Sequence, residues 1–485
     1  MRKLLLLFFA LLSLTACLKD DDFTTSKADN LTFSTDTVAF DTIISGTPTN
    51  TYTFTVYNRN EKAIRIQRVY LEGSNASHFQ VNVDGEPLSD GSGTDFEIAA
   101  KDSLMVFLFA KVPDADLDEP VHEESALVFE TESGNQHKVI LTATGQSVIP
   151  LNALTVSSDT TLSSHRPYRI MDSLVVGQGT TLTLAEGTRF YFHAGAKLIV
   201  RGTLQVLGSL QHPVEMRGDR LGYMFAGQPY DRIPGQWGGV VLTSESYGNY
   251  INYADIHSGN FGIQIDSSDV EQTKLVMENS IVHNTKGDGL SSRMANIYIG
   301  NCQLTNSGGN CVKVRGGDAT FVHCTIARFY VFTGGSGVAL DFANYDGNTR
   351  LPLKSIQFAN CLITGYQSDE VMGAQNTKYK NDAYEYAFFN CLLNTTHPEK
   401  DDNRLVNCFW DDADGEDSVK REKNFTPDFD TDALTFSFQL SEKSQAIAHA
   451  DSTISAATYP YDLLGRPRTG NGNVPDIGCY QHLAK

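Results

Sequence analysis

The chain has 485 residues, with 38 Lys and Arg against 58 Asp and Glu, a formal charge of −20 at pH 7. Such an acidic surface excludes nucleic acid and anionic membrane surfaces as partners, because both need a basic footprint, and it disfavours acidic glycans unless a divalent cation bridges them. The length allows two to four domains, each large enough to bury a core.

Arg2-Lys3, the apolar run Leu4 to Leu14 and Leu14-Thr15-Ala16-Cys17 form a basic, apolar and small-residue sequence in secretory order. A cysteine at the cleavage point resembles the lipobox of bacterial lipoproteins. That resemblance implies removal of residues 1–16 and a lipid such as palmitate on the Cys17 thiol. The apolar run falls short of the roughly 20 residues that span a bilayer, and no second segment approaches that length. The expectation is therefore anchorage to the outer membrane, not insertion. Leu18-Lys19-Asp20-Asp21-Asp22 resembles the acidic export tag of surface-exposed lipoproteins in Bacteroidetes, which implies a protein facing the cell exterior. Residues 17–30 read as a polar tether.

From 31 to 147 the chain alternates with period two, as in Phe54/Val56, Leu104/Val106/Leu108/Ala110 and Val139/Leu141/Ala143, with turn residues between. Several short strands in about a hundred residues predict a β-sandwich of the immunoglobulin type. Val56-Tyr57-Asn58, Val69 to Gly73 and Leu141 to Gly145 resemble bacterial Ig-like domains of the HYDIN/ASPM type, which implies a spacer. Glu119 to Glu124 reads as a solvated acidic loop. None of the eight cysteines lies between Leu18 and Asn301, so this domain has no disulfide framework.

After Pro150 the strands become shorter and turn at glycines. Thr181 to Thr188, Leu198 to Leu204 and Pro234 to Val240 resemble the opening coils of secreted right-handed parallel β-helix proteins of the pectate-lyase-like superfamily. Asp462 to Tyr480 is similar to that group's end module, with Cys479 and Gln481 as departures. A repeat supports the solenoid independently: Asn279-Ser280, Asn301-Cys302, His323-Cys324, Asn360-Cys361 and Asn390-Cys391 each precede an apolar pair, the first three 22 residues apart. Like positions on stacked coils form ladders at about 4.8 Å. The cysteines are expected inside as small hydrophobes, since zinc ligands come in close pairs and parallel stacked side chains suit disulfides poorly. The expected fold is thus all-β: an Ig-like sandwich over 31–147, then a right-handed parallel β-helix over 150–485.

A second template, at Gly262-Ile263, Gly289-Leu290, Cys311-Val312 and Gly337-Val338, predicts outward rows Gln264/Ser291/Lys313/Ala339 and Asp266/Arg293/Arg315/Asp341. Gln264, Asp266, Arg293, Lys313, Arg315 and Asp341 form the candidate ligand face. Lys313 and Arg315 could meet hydroxyls or a carboxylate, and Asp266 and Asp341 could accept from hydroxyls or hold Ca²⁺; ion pairs covering an exposed sheet are the alternative. The polygalacturonase motifs fail, with Gly287-Asp288-Gly289 lacking a histidine and Lys313-Val314-Arg315 in reversed order. Asp411 to Asp417 places Trp410 and Arg421 where a calcium loop needs ligands, so it reads as solvated. Trp237 reads as structural. The sequence names no catalytic, cofactor-binding or metal-ligating residue. It favours a surface lipoprotein that binds an extracellular polysaccharide or surface partner without catalysis; a β-helix lyase or hydrolase and a structural stalk remain alternatives.

Overall fold

The computed structural model describes residues 22–163, 165–225, 227–332, 334–396, 402–411, 424–426, 430, 435–470 and 472–482; Cys17, the lipobox and residues 412–417 of the acidic run lie outside them. The chain divides between Ser147 and Val148 into two compact units. Among the described residues no helix is long and apolar enough to cross a membrane.

The first unit is a β-sandwich. One five-stranded sheet runs in the order Leu31–Phe33, Tyr52–Asn58, Ser103–Ala110, Phe79–Val83, Glu86–Pro87. The other runs Thr37–Ile44, Gln136–Gln146, Val121–Thr131, Ile64–Glu72, Ser92–Ile98. The inward members of the alternating runs, among them Phe54, Val56, Val106, Leu108, Val139 and Leu141, make one core. Neighbouring strands are antiparallel except Gln136–Gln146, which pairs in parallel with Thr37–Ile44. The expected acidic loop at Glu119 to Glu124 is corrected in its second half. Val121 begins an 11-residue strand, and Glu123 turns inward to His78 at 3.4 Å. Alternation hides this, because the inward charge replaces an expected apolar residue.

The second unit is a parallel β-helix with three faces. The first face stacks Lys197–Val200, Gly239–Leu242, Ile263–Ile265, residues 290–293, residues 312–315, Leu340–Ala343 and Val371–Ala374. The second stacks Thr181–Ala185, Thr203–Leu207, Asn249–Asn252, Thr273–Glu278, residues 295–300 and 317–322, Leu353–Ala359 and Tyr384–Phe389. The strands Leu290–Gly300 and Val312–Val322 run through both faces, so the two form one continuous sheet. The third face is an 11-stranded sheet that includes Arg189–Phe192, Val214–Gly218, Ala254–His257, Ile281–Thr285, Gln303–Ser307, Thr325–Arg328 and Leu362–Gly365.

The repeated asparagine explains the turn from the second face to the third. Asn279, Asn301, His323, Asn360, Asn390 and Asn407 have φ between 48° and 55°, as does Tyr253. This left-handed region is one that asparagine tolerates better than most residues. The side chains bond along the ladder: Asn301 Nδ2 donates to Asn279 Oδ1 at 2.8 Å, and Asn279 Nδ2 to Asn252 Oδ1 at 2.9 Å. One residue later, Ser280, Cys302, Cys324, Cys361 and Cys391 are fully buried, and the cysteines are free thiols. Cys302 and Cys324 donate to backbone carbonyls of their own and the preceding coil. Inside, Phe321, Phe358 and Phe388 stack with centroids 4.8 Å apart, the coil spacing. A glycine corner is needed at Gly202, where a Cβ would lie 2.1 Å from the carbonyl oxygen of Thr180.

The C-terminal segment folds back along the coils. It carries a short helix, Ser452–Thr458, capped by Asp451. Fully buried Arg468 donates to Asn301 Oδ1 at 2.8 Å, Gly478 N–H to the Asn360 carbonyl at 2.8 Å, and Tyr480 O–H to Gln303 Oε1 at 2.5 Å. The segment thus attaches to the asparagine turn and the third face.

Candidate functional site

Along the predicted ligand face, register holds for three coils and slips on the fourth. Leu290 faces Val312, Ser291 faces Lys313 and Arg293 faces Arg315, as expected. On the next coil, however, Val312 faces Leu340 and Lys313 faces Asp341, so Val338 and Ala339 precede the strand. Asp341 therefore belongs to the Gln264/Ser291/Lys313 row, and Ala343 follows Arg315. A two-residue slip leaves every side chain on its face, so the pattern could not detect it. Val338 and Ala339 instead extend the turn, their carbonyls accepting from Cys311 N–H and Val312 N–H.

The row does not converge. Arg315 leans diagonally onto Asp341 as a bidentate pair, at 3.0 and 2.5 Å, both side chains under a fifth exposed. Lys313 lies 3.5 Å from Asp288, and Arg293 lies 3.5 Å from Asp346. Gln264 donates to Asp266 at 3.0 Å. Each cation has its own carboxylate, supplied partly by turns outside the row.

The third face behaves differently. Its outward positions place Glu215 beside Asp255, and His257 beside His283, on adjacent strands. The segment between Gly218 and Gly239 folds over this face, through the hairpin Tyr223–Phe225/Gln228–Pro229 and the turn Tyr230–Arg232. Trp237 fixes its return: the ring is fully buried, stacks on Phe192 at 4.2 Å and donates from Nε1 to the His257 carbonyl at 2.7 Å. Ser258 Oγ donates to the Asp231 carbonyl, and Asn284 Nδ2 to that of Arg232 at 3.2 Å. These bonds set Asp231 over the sheet.

Asp255 Oδ1 lies 2.9 Å from His257 Nδ1 and 3.1 Å from His283 Nε2, while His257 Nε2 lies 3.1 Å from Asp231 Oδ1. The two rings stack, centroids 4.8 Å apart. Arg217 pairs with Asp231 and lies 3.9 Å from Glu215. An ionised carboxylate only accepts hydrogen bonds, so His257, bonded to one at each nitrogen, donates from both and is an imidazolium. Burial alone would lower its pKa, but Asp255 and Asp231 outweigh that and push it up to about 10. Burial likewise opposes ionisation of Asp255, yet His257 and His283 hold it well below the usual carboxylate range. Burial raises Glu215, with His257 and Arg217 offsetting only part.

His283 also lines a cavity of about 250 Å³ with Gln303, Thr305, Phe438, Leu464 and Tyr480. This assembly escaped the sequence reading, although it left a signal. Asp255-Ile256-His257 and Ile281-Val282-His283 alternate in the same phase, and the histidines are 26 residues, one coil, apart. The coil starting at Tyr253 was missed because tyrosine replaces the asparagine that marks the turn. Asp231 comes from a long insertion and could not be placed by repeat alignment.

No family model matches the chain, and no curated protein matches it. Among solved structures it is similar to the catalytic unit of a thermostable GH87 α-1,3-glucanase from Streptomyces thermodiastaticus. That match has 11% identity, covers 74% of this chain and 88% of that one, and has a TM-score of 0.26. The Agl-KA catalytic domain is similar at 12% identity, over 71% and 76%, with a TM-score of 0.26. A family 123 glycoside hydrolase from Clostridium perfringens is similar at 7% identity over 25% of this chain and 30% of that one, with a TM-score of 0.19. At these scores the likenesses carry no argument, and the β-helix rests on the strand register itself.

Proposed function

We propose that the protein is a lipid-anchored cell-surface protein, attached to the outer membrane through Cys17, whose solenoid binds an extracellular polysaccharide along its first face without cleaving it. The observation that carries the reading is the separate pairing of Arg293, Lys313 and Arg315. Glycoside hydrolysis needs two carboxyl groups within about 5–9.5 Å. Asp266 and Asp341 stand three coils apart, roughly 14 Å at the strand spacing. What the face offers instead is a ladder of partly exposed donors and acceptors at regular spacing, suited to the repeating hydroxyls of a polymer. The lipobox and the acidic stretch after it support the location.

The test is native affinity electrophoresis of the full chain in detergent, in gels cast with individual plant and host polysaccharides plus calcium and then stained for polymer. Retardation without clearing, weakened in Lys313→Ala, is expected. A cleared zone would overturn the non-catalytic reading in favour of a lyase or hydrolase, and an unshifted band across the panel would overturn polysaccharide binding in favour of a protein partner or a stalk. Incorporation of labelled palmitate, lost in Cys17→Ala, tests the anchor.

A further inference from the structure

The polysaccharide reading makes no use of the third face, where two imidazoles and a carboxylate meet. We propose that Asp255, His257 and His283 bind a divalent transition-metal ion through Asp255 Oδ1, His257 Nδ1 and His283 Nε2. Those three atoms lie together within 4.8 Å; without an ion the ring nitrogens donate protons to Asp255, and an ion bound between them would displace those protons into solvent. Ligands about 2.0–2.2 Å from a metal lie roughly 3.0–3.5 Å from each other, and the carboxylate oxygen here lies 2.9 and 3.1 Å from the two ring nitrogens.

The surroundings complete the design. His257 presents its other nitrogen to Asp231 at 3.1 Å, the outer carboxylate contact that orients metal-bound histidines. Both histidines sit in register on adjacent parallel strands, so the backbone fixes the gap between the rings. His257 is 5% exposed at its side chain, whereas His283 and Asp255 are 25% and 35% exposed, which leaves the site an approach from solvent. Imidazole ligands select transition ions over Ca²⁺ and Mg²⁺, which take oxygen. Three protein ligands leave at least one position open, and His283 borders the cavity in which Gln303, Thr305 and Tyr480 supply polar groups. The neighbouring set Glu215, Asp231 and His257 also clusters. Arg217 lies on Asp231 and near Glu215, and this fixed positive charge favours the Asp255 set.

The experiment takes the full chain in detergent, stripped with EDTA, and titrates it with Zn²⁺ by calorimetry. One equivalent is expected, with affinity at least tenfold weaker in His283→Ala and in Asp255→Asn. Asp231→Asn should weaken it by about 10–100-fold, as an outer carboxylate does. Should those variants fail to fold, the unaltered chain loaded with Cu²⁺ answers by electron spin echo modulation, which should register two imidazoles. Absence of stoichiometric Zn²⁺ uptake, uptake unchanged in His283→Ala, equal affinity for Ca²⁺, or a Cu²⁺ spectrum without imidazole nitrogen would each overturn the site.

Discussion

On the first face of the solenoid three cations find three separate carboxylates; on the third, two histidines share a single oxygen of Asp255. Both arrangements grow from the same outward-pointing period of two, on coils with the same spacing. They differ in what lies above the sheet. Asp288 and Asp346 stand outside the first-face row and draw Lys313 and Arg293 to separate partners. The segment between Gly218 and Gly239 instead folds across the third face and adds Asp231 beside Arg217 and His257. A solenoid provides ladders; a loop that returns over a ladder turns it into a site.

The contrast can be broken most sharply at Asp231. Asp231→Ala leaves Arg217 and His257, which are mostly buried, without a shared partner. It should cost about 2–3 kcal/mol, below the ~3–5 of a fully buried pair because Asp231 is partly exposed. Urea unfolding measures it, and a loss under about 1 kcal/mol would place it on the footing of the exposed Arg293 pair of the first face.

Acid tests a buried group that belongs to neither row. His323 replaces an asparagine in the turn ladder, with Nδ1 3.2 Å from the Gly478 carbonyl and Nε2 2.8 Å from Ser455 Oγ. Burial, reinforced by the Arg468 charge, lowers its pKa well below 6.5. As pH falls through 6.5 the unfolded chain takes up a proton that the folded chain refuses. Stability should therefore drop by about 1.4 kcal/mol per pH unit, down to the folded pKa. His323→Asn should flatten that slope between pH 6.5 and 5. If the slope survives the substitution, another histidine whose pKa burial lowers, such as the half-buried His137, carries it.

Smaller effects sharpen the first-face side. Arg315→Ala removes the bidentate partner of the mostly buried Asp341 carboxylate and should cost about 1–2 kcal/mol. Arg293→Ala, at an exposed pair, should cost less than about 1 kcal/mol. Thermal unfolding ranks the two, and equal losses would mean that Arg293 is held more tightly than its 43% exposure implies.

The chain's order along the solenoid was legible because it is local. Asn279, Asn301 and Asn360 mark a left-handed turn that few residues tolerate, and Cys302, Cys324 and Cys361 follow as small buried groups. The interior rows through Leu304 and Ile326 follow from period two. Two features were not legible, for different reasons. The register of Asp341 escaped because a slip of two residues preserves every alternation. The meeting of Asp231, Asp255, His257 and His283 escaped because Tyr253 hides a coil boundary and Asp231 reaches the sheet through an insertion.

By itself, the sequence determined an all-β chain, the period of its coils, the inward thiols and the outward polarity of the ladders, since each depends on neighbouring residues and strand geometry. Only the tertiary structure decided which outward charges meet. That choice depends on where loops between coils come to rest, and their resting places are set by contacts such as Trp237 on Phe192 and Ser258 on the Asp231 carbonyl, which no local pattern encodes.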